Sequence, residues 1–175
     1  MGPDYAARIA TISRSLGIPA DYARVRHMPL QREARALVFI GRNPDGRAVR
    51  LTPRAAAAWR RMQAAAARDR VPLLPISGFR SVARQTKIIR DKLAAGKKIA
   101  DILLFVAAPG CSEHHTGRAL DIVSPDDPEL EERFARTAAF RWLKANAARF
   151  RFHLSYPRNN RHGIGYEPWH WCWRL

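Results

Sequence analysis

The segment Glu167-Pro168-Trp169-His170-Trp171-Cys172-Trp173-Arg174 puts an indole at every second position, a spacing that only an extended strand turns to use. Successive side chains of a strand point to opposite faces, so Trp169, Trp171 and Trp173 share one face while His170 and Cys172 share the other. Three indoles on one side require a core to receive them, which leaves the imidazole free to look into a cleft. The spacing predicts a strand over Glu167–Arg174. Pro168 removes a ladder donor and keeps Glu167 out of the helical region, which suits a strand start with Glu167 leaning over whatever His170 binds.

About fifty residues earlier stands Ser112-Glu113-His114-His115-Thr116-Gly117-Arg118-Ala119-Leu120-Asp121. With His170 it provides three donors that zinc accepts, His114, Asp121 and His170, and Glu167 adds a carboxylate near the last. A catalytic zinc needs that inventory: three protein ligands, a fourth position for water, and a base for the water's proton. Read as a strand, the segment places Ala119, Asp121 and Val123 on one side and Leu120 and Ile122 on the other. Gly117 permits the turn between His114 and that strand. A single His or Asp is ordinarily a surface or hydrogen-bonded residue, and the zinc reading rests on the three together. His115, His27, His153 and His162 are expected to line a cleft or face solvent, not to bind metal.

The remaining pattern predicts one domain over residues 1–175, of which 1–50 form a motif-free extension of helix and hairpin. A helix is expected near Asp4 to Leu16. A hairpin follows, with Leu37–Ile40 and Ala48–Leu51 flanking the turn sequence Asn43-Pro44-Asp45-Gly46. Helices are expected from about Thr52 to Arg70, Ser81 to Ala95 and Thr137 to Ala148, with a strand at Leu73 to Ile76. Strands and helices mix without a regular βαβ repeat, which predicts an α+β fold with a mainly antiparallel sheet.

The wording of the two ligand segments, Ser-x-His-x-x-Gly-x-Ala-x-Asp and Glu-Pro-Trp-His-Trp, resembles the D-alanyl-D-alanine carboxypeptidase family of zinc peptidases, VanY-type enzymes acting on peptidoglycan stems. Ser77-Gly78-Phe79-Arg80-Ser81 with Gln85 resembles a third stretch of that family, here with Phe79 where the family has Tyr. Tyr156-Pro157 and the run Gly163 to Tyr166 fit the segment before its last motif. The resemblance spans roughly residues 50 to 175 and implies a Hedgehog/DD-peptidase-like zinc peptidase fold. It further implies one zinc per chain on His114, Asp121 and His170, with Glu167 activating the zinc-bound water as general base. Arg80 is implied as the cation for the oxyanion or the substrate carbonyl, and Gln85 and Ser112 as groups holding the peptide's C-terminal end; Ser112 could equally cap its loop.

The implied substrate is the peptidoglycan stem peptide and the implied reaction is removal of its terminal D-Ala. Related L,D-carboxypeptidases, D,D-dipeptidases and phage endolysin-type L-Ala-D-Glu peptidases share the machinery, and a zinc-stabilised binding module is the non-enzymatic alternative. Glu167 and Arg80 argue against that module. The net charge of +16 comes from 31 basic against 15 acidic residues. A basic chain suits anionic polymers, yet no helix-turn-helix, zinc-finger or RNA-binding word accompanies it, so no specific nucleic-acid partner is expected. Leu103 to Ala108 is the most apolar run and is far too short to span a bilayer. Asp4 and Arg8 interrupt any secretory apolar segment, so a periplasmic or envelope location follows only from the substrate. Oligomeric state is left open. Cys111 and Cys172 are expected as two buried thiols, with a disulfide as the alternative.

Overall fold

The computed structural model describes residues 3–174. Helix α1 (Pro3–Ser15) and a short α2 (Tyr22–Val25) precede a hairpin of β1 (Val38–Arg42) and β2 (Ala48–Leu51). Asn43 closes that hairpin by accepting from the Arg47 amide, and Gly46 takes the left-handed conformation the turn requires. Helix α3 (Pro53–Arg68) starts with Pro at its first position, where the missing N–H costs nothing. Its buried residues Ala55, Ala58, Trp59, Met62 and Ala66 recur at helical spacing and so form one apolar face.

The second sheet is built from β3 (Leu74–Ser77), β4 (Ala119–Val123), β5 (Phe152–Leu154) and β6 (His170–Trp173) in the order β3-β4-β6-β5, every pair antiparallel. Helix α4 (Val82–Ala94) follows β3, a short α5 (Ile99–Ile102) follows it, and α6 (Ala138–Asn146) packs beneath the sheet. Ser81 and Thr137 cap α4 and α6 with their hydroxyls. The α+β class, the antiparallel sheet, the hairpin and the four long helices fall within a residue or two of expectation.

Alternation divides the sheet into two chemically different faces. Leu120, Ile122, Phe152, Trp171 and Trp173 join Trp59, Met62, Phe134 and Leu143 in the main core. Each such large side chain fully removed from water contributes about 1.5–3 kcal/mol. The register opposes Asp121 to His170 and Ala119 to Cys172, so all four share the other face. The indoles thereby anchor the strand that presents His170.

Residues 3–36 pack against the loops that carry the site. The amides of Gln31 and Ala34 donate to the carbonyls of Gly110 and His115, at 2.6 and 2.8 Å. Glu33 accepts from the Val82 amide at 2.6 Å, which satisfies an N–H at the open end of α4 that has no intrahelical partner. Arg26 reaches the carbonyls of His162 and Gly163, and His162 Nδ1 lies 3.0 Å from the Arg26 carbonyl. No helix among the described residues is long and apolar enough to cross a membrane.

Candidate metal centre and active site

His114 reaches the site from a 3-10 turn, Glu113–Thr116, that Gly117 ends in the left-handed conformation. Asp121 comes from the middle of the sheet on β4 and His170 from the first residue of β6, directly opposite it. One ligand atom from each of the three lies within 4.8 Å of the others, and all three residues are buried. The two imidazoles stand nearly perpendicular, at 84°. The expected donors therefore converge.

Protonation is organised by what each group touches. His114 Nδ1 lies 2.6 Å from the Gly78 carbonyl, which can only accept, so Nδ1 carries the proton and Nε2 keeps its lone pair 3.2 Å from Asp121 Oδ2. Burial lowers the His114 pKa to about 4, holding the ring neutral. Burial opposes charge on Asp121 as well, but the imidazoles of His114 and His170 hold its carboxyl well below the usual range. For His170, burial is outweighed by hydrogen bonds and negative charge from Asp121 and Glu113, which raise its pKa to about 10. Two neutral-capable imidazoles and one committed carboxylate form a donor set of the kind zinc takes.

Glu167 arrives differently from the strand expectation. Pro168 and Trp169 form a turn, the His170 amide donates to the Glu167 carbonyl at 3.1 Å, and β6 begins only at His170. Proline's fixed φ suits the second position of such a turn better than a ladder position. The turn folds the Glu167 carboxylate back to 3.9 Å from His170 Nδ1, beside the donors and outside their set. Trp169 nevertheless remains in the same core as Trp171 and Trp173. Burial raises the Glu167 pKa to about 8, so a cation nearby would be needed to hold it ionised near neutrality.

Arg80 donates to Ser77 Oγ at 2.9 Å and to Gln85 Oε1 at 3.1 Å, and its guanidinium lies 3.6 Å from Asp121 Oδ2. Gln85 is wholly buried and also donates to the Ala107 carbonyl at 2.6 Å, so both ends of its amide are engaged within the protein. Ser112 makes no capping bond with its side chain and lines the cleft. That cleft, about 470 Å³, also takes in His114, Asp121, Glu167, His170, Arg80 and Tyr156. Gly78 explains why this corner needs glycine: a Cβ there would collide with the Arg50 carbonyl of the neighbouring hairpin.

Several details depart from the sequence reading. His115 neither lines the cleft nor meets solvent; it is fully buried, bonded through Nδ1 to the Arg80 carbonyl at 2.6 Å and through Nε2 to the Gly110 amide at 3.0 Å. It ties the Arg80 loop to the His114 turn. Cys111 and Cys172, by contrast, are both free and buried as expected, and burial pushes the Cys111 thiol up to about 11. Glu113 and Ser155 were not anticipated: Glu113 Oε2 lies 3.0 Å from His170 Nε2 and accepts the Ser155 hydroxyl. Tyr156 also escaped notice as a wall of the site, its ring centroid 4.8 Å from that of His170.

Residues 48–174 match the family model described as VanY, D-alanyl-D-alanine carboxypeptidase, and the chain belongs to that family of zinc peptidases. It is 40% identical over 119 residues to YodJ of Bacillus subtilis, covering 66% of this chain and 43% of that protein. Among solved structures, the LdcB LD-carboxypeptidase superposes with a TM-score of 0.73 at 33% identity, covering 83% of this chain and 74% of that one. A variant of the D,D-pentapeptidase VanY from a VanB-type resistance cassette, in complex with Zn(II), superposes at 0.61 with 27% identity, covering 83% and 86%. The chain spans 42% to 66% of the length of the curated relatives it matches.

Proposed function

We propose that this chain is a zinc-dependent carboxypeptidase that removes the terminal D-Ala from peptidoglycan stem peptides. The observation that carries the reading is the convergence of His114, Asp121 and His170 on the wall of a cleft that also holds a desolvated carboxylate, Glu167, and a braced cation, Arg80. His114, Asp121 and His170 would hold one zinc ion. When bound there, zinc supplies a Lewis acid that polarises a carbonyl and makes water acidic near neutral pH.

The protein groups divide the remaining work. Glu167 takes the proton of the attacking water and returns it to the leaving amine, since its carboxylate sits beside the donors without being one of them. Arg80 meets the negative charge that develops on the scissile carbonyl oxygen. Its guanidinium is preorganised by Ser77 and Gln85, so little reorganisation is needed at the moment of reaction. Ser112 and Arg80 read the peptide's C-terminal end, with Gln85 bracing Arg80 from behind. Such a reaction belongs outside the cytoplasm, in the periplasm or envelope.

A second reading is favoured by the likeness to LdcB, which has the higher TM-score of the two reported structures and is an LD-carboxypeptidase. The same machinery would then cut a tetrapeptide stem at an L,D bond. Both readings require a free C-terminal carboxylate. Amidating the terminus removes the charge that the site pairs and leaves polar protein groups unsatisfied, a loss of about 1–3 kcal/mol for each buried group left without a partner. We expect kcat/KM for a stem peptide to fall about 5- to 150-fold on amidation, as such a loss converts to rate. Equal turnover of the free acid and the amide, followed by chromatography of the products, would move the activity to an endopeptidase.

A further inference from the structure

We propose that Glu113 is a positioning residue that fixes the tautomer and orientation of His170, so that Nδ1 is the nitrogen presented to the metal. The inference rests on the reading of His114, Asp121 and His170 as a zinc site. Glu113 stands immediately before a ligand, yet its carboxylate serves the other histidine, on a strand 57 residues further along.

A neutral imidazole has one nitrogen that donates and one that accepts. The Glu113 carboxylate can only accept, and its Oε2 lies 3.0 Å from His170 Nε2, so that nitrogen bears the proton. The same oxygen accepts the Ser155 hydroxyl from the end of β5. Ser155 in turn keeps its amide 3.3 Å from the His170 carbonyl, so one residue braces both the backbone and the carboxylate. Nδ1 also faces a carboxylate, Asp121 at 3.0 Å, but it is the nitrogen turned toward the donors, with Glu167 at 3.9 Å; a metal held among them would take the Nδ1 lone pair and leave the proton on Nε2 against Glu113.

His114 is arranged the opposite way round. Its Nδ1 donates to the Gly78 carbonyl and its Nε2 faces Asp121. The two histidines thus offer different nitrogens, each selected by an acceptor behind the ring: a backbone carbonyl for His114 and a carboxylate for His170. A carboxylate behind an imidazole also makes it a more basic ligand. Without Glu113, the buried His170 Nε2–H loses its acceptor, and the ring loses the contact that distinguishes its two faces.

The test uses the full chain, zinc alone as probe, and two readouts that are independent of turnover. Zinc affinity is measured by competition with a chelating dye for the wild type, Glu113→Gln and Glu113→Leu. Long-range proton–nitrogen NMR then assigns the protonated nitrogen of His170 in the zinc-loaded wild type, a measurement that needs no variant to fold. We expect Nε2 to carry the proton. Glu113→Leu should weaken zinc binding by about 10–100-fold, the usual cost of losing an outer-shell partner. Glu113→Gln should fall between the two, because its amide oxygen still accepts the N–H but carries no charge. A proton on Nδ1 in the zinc-loaded wild type, or a folded Glu113→Leu that binds zinc as tightly as wild type, overturns the role of Glu113 alone. A wild type that binds no zinc specifically overturns this role and the zinc reading beneath it.

Discussion

Replacing Glu167 with Gln is expected to lower kcat by about 10² to 10⁴ while zinc occupancy and fold persist, which is the usual contribution of a general base. The substitution keeps the shape of the side chain and removes only its ability to take a proton. Ordinarily, neutralising a buried carboxylate threatens stability because some partner is left unpaired. Here burial already disfavours the charge, raising the pKa to about 8, and no hydrogen bond to the Glu167 side-chain oxygens is recorded among the described residues. The fold therefore does not lean on the charge, and Gln fits the same turn ahead of His170. Steady-state kinetics with zinc quantified in the same sample checks this. A Glu167→Gln protein with near wild-type kcat and full zinc shows that another group activates the water.

Removing a donor should have the opposite signature. His170→Ala is expected to lose zinc by more than the roughly 10–100-fold that an outer partner costs, because a ligand itself is deleted and two carboxylates, Asp121 and Glu113, are left facing the gap. The pH dependence has a definite sign. His170 in the metal-free protein holds a proton up to about pH 10, and a metal must displace it. Zinc affinity should therefore climb from pH 7 toward pH 10, by about tenfold per unit while a single proton is displaced. Calorimetry in buffers of different ionisation enthalpy reads that proton directly. Zinc retained by His170→Ala contradicts the ligand assignment, and an affinity flat between pH 7 and 9 contradicts a proton held on His170 in that range.

Much of this was legible because strand alternation and ligand chemistry are local properties. The indole spacing at Trp169, Trp171 and Trp173 fixed which face His170 occupies, and the helix starts expected at Ser81 and Thr137 and the turn at Asn43 lie within a residue of the observed element ends. What stayed hidden depends on partners distant in sequence. Pro168 fits either a strand start or the second position of a turn, and only the hydrogen bond between His170 and Glu167 decides for the turn. His115 looks like any polar residue in a variable position, yet a carbonyl and an amide from two other loops bury it. Glu113 likewise occupies an unremarkable position in the motif, and its role exists only because β6 carries His170 back against it. Residues 3–36 brace the site loops largely through backbone groups, a task that many side-chain patterns can perform and that leaves no motif.

The central claim is that these donors, Glu167 and Arg80 perform zinc-dependent removal of one C-terminal D-amino acid. Its most direct test is mass spectrometry of purified pentapeptide and tetrapeptide stems after incubation with zinc-loaded and chelator-stripped protein. The account predicts loss of a single alanine, at the D,D bond of the pentapeptide, by the loaded protein, restored to the stripped protein by added zinc. Release of dipeptides or larger fragments, or hydrolysis that is indifferent to stripping, would contradict it.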